Sequence, residues 1–208
     1  MTTQPSKYKL NHSMYVSSLA LIHTIQVAGN NGNRLRVKDP KRSVKFYEFL
    51  GMKLINKLEN PDAKFDLYFL AYDSPKAVSY GSHWTDREGI VELTHNYGTE
   101  DDPDYKIANG NTDPRGFGHL AISVDNIQAA CQRIQNAGYK FQKTLTDGKM
   151  KHIAFALDPD GYWIEVIGQK SVEESESVKD TDVATYRMVH VMTTIVEIVQ
   201  LTHGRTTL

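Results

Sequence analysis

With 208 residues, 40% of them hydrophobic and 24% charged, the chain can bury one sizeable core or two small modules, and disorder is not its default state. Lys and Arg total 24 against 25 for Asp and Glu, so no global field draws it to nucleic acid or an anionic membrane, and any anion selectivity must be local. Its single cysteine, Cys131, excludes an intrachain disulfide. Together with an amino terminus lacking the basic-then-apolar layout of a secretory signal and no apolar run long enough to span a bilayer, this predicts a cytoplasmic protein.

In chain order, the first strand-like text is Tyr8-Lys-Leu-Asn-His12-Ser-Met14. Residues 15–34 break the pattern: the first half is apolar without a clear period, and 28–33 is a Gly- and Asn-rich loop. Leu35-Arg-Val37 resumes a strand, and Asp39 then reads as an N-cap with Pro40 at the first helical position. The helix carries Val44, Tyr47 and Leu50 and stops at Gly51. Strands are expected at 53–58, 65–72 and 89–94. After a Gly- and Asn-rich connection, His119-Leu-Ala-Ile-Ser-Val124 alternates like a strand. Asp125 is the expected cap of a second helix with Ile127, Ala130, Cys131 and Ile134 on one face, ended by Gly138. Strands follow at 139–145, 152–157 and 162–167. The same βαβββ unit is thus written twice, which predicts an α+β fold of paired modules forming a curved open sheet around a metal site.

The repeat also sets the expected boundaries. The second module opens with His119, but counting back the same distance from Leu35 lands on Gly32. Removing residues 15–34 joins His12-Ser-Met14 to Leu35-Arg-Val37 in register with 119–124. Residues 1–34 therefore read as an N-terminal segment with an insertion at 15–34, through a retained intron or a faulty gene model, with a natural surface excursion as the plainer alternative. Residues 35–168 form the two-module domain, and 169–208 an acidic linker and aberrant tail. Within that tail, Tyr186-Arg-Met-Val-His190-Val-Met192 echoes the Tyr, His and Met spacing of residues 8–14, as if a third module begins and does not continue.

Strand alternation on the joined text puts His12, Met14 and Arg36 on one face and Ser13, Leu35 and Val37 on the other. Glu92 and Glu165 stand amid apolar neighbours on the last strand of each module. A lone strand Glu usually faces solvent, yet a carboxylate at the same position of both modules is better explained by pairing or metal binding. His12 and His119 are repeat-related as well, although each alone would read as a structural imidazole. The four make a His2Glu2 set suited to zinc and also open to nickel, cobalt or iron. Arg36, Arg115, Lys149 and Lys151 add cations around one cavity, as a polycarboxylate ligand requires, although a surface role is the plainer reading for Lys151.

The strings Leu35-Arg-Val-Lys-Asp-Pro40, Leu67-Tyr-Phe-Leu-Ala71, Leu93-Thr-His-Asn96, Pro114-Arg-Gly-Phe-Gly-His119, Asp147-Gly-Lys-Met150 and Asp158-Pro-Asp-Gly-Tyr-Trp-Ile-Glu165 occur in one order. On these the chain resembles the eukaryotic-type glyoxalase I (lactoylglutathione lyase) family of the vicinal oxygen chelate (VOC) superfamily, from about residue 8 to 168. It is similar in particular to the fungal tandem form, cut after the first copy. The resemblance implies metal ligation by His12, Glu92, His119 and Glu165, with Glu165 and Glu92 as catalytic carboxylates. It also implies substrate contacts from Arg36, Asn96, Arg115, His119, Lys149 and Met150. The implied reaction turns the hemithioacetal of methylglyoxal and glutathione, the co-substrate, into S-lactoylglutathione through a metal-stabilised enediolate. A single unit is expected to act as a homodimer, and a full tandem form to pair within one chain. Two alternatives remain: an extradiol dioxygenase on the same fold, which Glu92 as a fourth ligand argues against, and an inactive splice or gene-model variant acting at most as a binding module.

Overall fold

A computed structural model describes residues 3–5, 8–15, 33–75, 77, 80–113 and 115–169. The chain divides into units Met1–Gln169 and Lys170–Leu208. The second unit, with the expected linker and the echo at 186–192, lies outside the described residues, as do residues 16–32 and Pro114. No described helix is long and apolar enough to cross a membrane.

The first βαβββ module runs β2 (Asn33–Val37), α1 (Pro40–Phe49), β3 (Lys53–Asn60), β4 (Phe65–Ala71) and β5 (Val91–Asn96). The second runs β6 (Phe117–Val124), α2 (Ile127–Asn136), β7 (Phe141–Lys143), β8 (Ile153–Leu157) and β9 (Trp163–Gly168). A preceding strand, β1, spans Lys9–Tyr15. The four-stranded sheet has the order β2-β5-β4-β3 and the five-stranded sheet β1-β6-β9-β8-β7. In both modules the first strand lies parallel to the last and the rest pair antiparallel. A parallel pair needs a long crossover, and here it runs through the helix and the two middle strands of each module.

Local chemistry accounts for the helices. The Asp39 side chain accepts from the Lys41 amide at 2.9 Å, Pro40 takes the first turn, and Pro40, Ser43, Phe46 and Tyr47 form the buried stripe. The helix closes at Gly51, whose φ of +97° suits glycine; a Cβ there would also lie 2.5 Å from the Pro5 carbonyl oxygen. The cap of α2 is Asn126 rather than the expected Asp125. Asn126 is extended, and its side-chain oxygen accepts from the Ala129 amide at 2.9 Å, while the Asp125 carboxylate is taken by the Thr3 hydroxyl at 2.7 Å. The strand expected at 139–145 shrinks to Phe141–Lys143. Tyr139 still donates to the Ile134 carbonyl of the helix end, and Thr144 opens a turn by donating its amide to Asp147 at 2.7 Å.

One face of each sheet packs into the core. Leu35, Val37, Val91 and Leu93 of the first module join Leu120, Ile122, Val124, Ile164 and Val166 of the second, together with Phe46, Tyr47 and Ile134 from the helices. The opposite faces carry the candidate chemistry.

The expected continuous first strand is divided. β1 pairs antiparallel with β6 in the second module's sheet, whereas β2 pairs with β5 in the first module's sheet. His12 and Arg36 therefore belong to different sheets, because the pairing partner of each half-strand is set by register and not by alternation.

Candidate active site

The last strand of each module presents a glutamate in a corresponding row. In the second module, Glu165 stands between Ala121 on β6 and Phe155 on β8. In the first, Glu92 stands between Arg34 on β2 and Phe69 on β4. Two residues before Ala121 is His119, which the two-residue strand period returns to the same face as Glu165. His119 Nε2 and Glu165 Oε2 lie 3.3 Å apart, both side chains about nine-tenths buried. Phe155 meets the His119 ring edge-on at a centroid distance of 5.4 Å and stands 5.4 Å from Trp163. The pair is thus walled by aromatic rings that keep water away, where electrostatic interactions are strong.

The first module differs at the decisive place. Arg34 Nε donates to Glu92 Oε1 at 2.6 Å, with the guanidinium largely exposed and the carboxylate 16% exposed. Two residues before Arg34, where β6 has His119, the chain has Gly32, outside the described residues. His12 lies in the backbone row of Ala121 and Glu165, and Met14 in that of His119. The His12 side chain lies outside the description. Among the described residues, no group of three or more His, Cys, Asp and Glu side chains converges. The structure thus brings His119 and Glu165 together and keeps Glu92 apart from them.

The expected cation ring is only partly assembled. Arg36 Nη1 donates to Asn96 Oδ1 at 2.5 Å, joining two of the expected substrate contacts at the end of β5. Arg115 is half exposed and stands 3.6 Å from Asp113. Its loop is closed by the Gly116 amide on the Gly110 carbonyl, and Gly110 (φ +83°) packs where a Cβ would strike the Phe117 backbone. Lys149 and Met150 are exposed on the turn before β8. The sequence reading missed Lys143, whose ammonium holds this turn through the Met150 carbonyl at 2.6 Å and the Ile153 carbonyl at 2.8 Å. Lys151 bonds the Thr146 carbonyl of its own turn, in keeping with a surface role.

Asp158 and Asp160, which the sequence presents only as part of a motif with no role assigned, lock the turn before β9 onto the first module's helix. Tyr47 donates its hydroxyl to Asp158 at 3.1 Å and Ser43 to Asp160 at 3.0 Å, while Asp158 also accepts the Asp160 and Tyr162 amides at 2.9 Å each. Burial pushes the Asp158 carboxyl up from 3.8 to about 7, helped by the charge of Asp160 and opposed by these donors. A raised folded value means that stability from this group is complete below about 4 and lost as the pH rises through about 7, amounting to roughly 4 kcal/mol. Asp158→Asn keeps the acceptor without the charge. Urea midpoints between about pH 4 and pH 8 should therefore fall less for this variant than for the parent. Parallel pH profiles would show that Asp158 does not stay protonated in the fold.

The profile of the Glyoxalase/Bleomycin resistance protein/Dioxygenase superfamily matches residues 21–166. The chain belongs to that superfamily. Among its relatives, the lactoylglutathione lyase of Schizosaccharomyces pombe is 45% identical over 193 residues, covering 92% of this chain and 56% of that protein. The chain therefore spans little more than half of that relative's length. The lactoylglutathione lyase of Pseudomonas putida is 49% identical over 143 residues, covering 66% of this chain and 83% of that protein. Among solved structures, the trypanothione-dependent glyoxalase I of Leishmania major superposes with a TM-score of 0.55 at 30% identity, covering 76% of this chain and 98% of that one. The paired α+β modules are thus those of the glyoxalase fold. The superfamily match begins after His12 and so does not bear on that residue.

Proposed function

We propose that the chain carries the glyoxalase I reaction, isomerising the hemithioacetal of methylglyoxal and glutathione to S-lactoylglutathione in the cytoplasm. The observation that carries this reading is the buried His119–Glu165 pair at 3.3 Å, with Glu92 in the corresponding row of the other module. The donor chemistry fits a divalent metal: an imidazole nitrogen and a carboxylate oxygen, both withdrawn from water, suit zinc and equally nickel, cobalt or iron. His119, Glu165 and Glu92 would hold it, with His12 as the fourth ligand. Because one chain keeps Glu92 apart from the His119–Glu165 pair, a homodimer would unite the first module of one copy with the second module of another.

The metal, when bound, would supply Lewis-acid polarisation of the substrate oxygens. Glu165 takes the proton from the carbon beside the carbonyl and returns it to the neighbouring carbon, which needs one carboxylate within reach of both and little competing water. Phe155 and Trp163 provide the dry wall. The Arg36–Asn96 pair and Arg115 hold the carboxylates of glutathione, and Lys149 and Met150 border the same ligand from the turn that Lys143 anchors.

The test is to incubate the metal-loaded chain, and the same chain lacking residues 15–34, with methylglyoxal and glutathione while following the thioester by its ultraviolet absorbance. Thioester is expected only when both are supplied. Arg115→Ala should raise KM about tenfold with kcat little changed, as for a contact equally strong in ground and transition states. Absence of turnover by either chain would overturn the reading.

A further inference from the structure

The two module-final glutamates occupy corresponding rows yet meet opposite partners. Glu165 faces a small neighbour, Ala121, and a neutral-capable nitrogen donor, His119. Glu92 faces Arg34, whose guanidinium is a permanent cation and cannot bind a metal. In the joined register this row belongs to Met14, an uncharged residue; Arg34 stands there because it is the last residue of the 15–34 stretch. The contact is a charge-assisted bond at 2.6 Å to a carboxylate that is itself mostly withdrawn from water.

We infer that Arg34 is an internal counter-ion that competes with the divalent cation for Glu92, so that this chain is inhibited in loading its own metal site. The inference rests on the assignment of Glu92, His119 and Glu165 as ligands. A metal ion approaching Glu92 finds Oε1 already held by the guanidinium, and must either displace it or tolerate a like charge a few ångströms away. Arg34 is 62% exposed and can swing into water, so the effect is a weakening and not a block. Loss of the pair and the remaining repulsion together correspond to about tenfold in affinity, or more.

The test uses the full chain stripped of metal and titrated with cobalt(II) or zinc against a chromophoric chelator, the cobalt ligand-field spectrum reporting the donor set. Arg34→Met and Arg34→Ala are both measured, since their exposed position allows either to fold, as circular dichroism verifies. Each is expected to tighten binding about tenfold or more and to alter the cobalt spectrum. The gain should vanish in the Arg34→Met/Glu92→Gln double variant. If both Arg34 variants bind as the parent does while His119→Ala and Glu165→Gln lose metal, the counter-ion role is overturned and the site assignment stands. If His119→Ala and Glu165→Gln also bind as the parent does, the ligand assignment falls and the counter-ion role with it.

Discussion

Deleting residues 15–34 is expected to raise kcat/KM for the hemithioacetal by about a hundredfold or more, because displacing a ligand and a substrate cation by even an ångström costs that much. The chain pairs Lys9–Tyr15 with β6 and Asn33–Val37 with β5, and the proposed ligand position of the first module falls on residue 32, a glycine without a side chain. Joining Met14 to Leu35 puts His12 at that position and removes Arg34 from Glu92 at the same stroke. The comparison uses both proteins truncated after Gly168, so the segment beyond it is not a variable. Equal activity of the two would show that the 15–34 stretch loops out harmlessly, as the slow growth of closure entropy with length allows.

In that shortened chain, Glu165→Gln should lower kcat by about a thousandfold while KM moves little, since a positioned base acts in the transition state and Gln preserves the packing against Phe155 and Ala121. Saturating metal keeps the measurement on proton transfer. Incorporation of solvent deuterium into the lactoyl carbon adds a readout that a purely structural role would not move. A kcat within about tenfold of the parent would take the proton-transfer role away from Glu165.

Residues whose role is local were legible in the sequence. Asp39-Pro40 and Gly51 mark both ends of α1 because cap, first-turn proline and left-handed glycine act within a few residues. The repeat made Glu92, Glu165 and His119 legible, since equivalent rows need no knowledge of neighbours. Partnership across strands was not legible. Alternation states which face a side chain takes but not which strand lies alongside, so the pairing of β1 with β6 and the meeting of Arg34 with Glu92 could not be read. Asp125 and Asn126 are equally able caps, and a tertiary bond from Thr3 decides between them. The hold of Asp158 on Tyr47 joins residues 111 positions apart, beyond the reach of any local pattern.

Among the described residues, β1 lies at the outer edge of its sheet and is bonded there to β6 alone. Those backbone bonds carry no record of where the strand's carboxyl end leads. A strand from a second copy would meet the same edge with the same bonds. What favours the strand's own chain is its tethered local concentration, a quantity that for tethered elements in general is on the order of millimolar. Two molecules held against each other by further contacts can match that figure, and they could then trade amino-terminal strands without altering a single residue of either sheet.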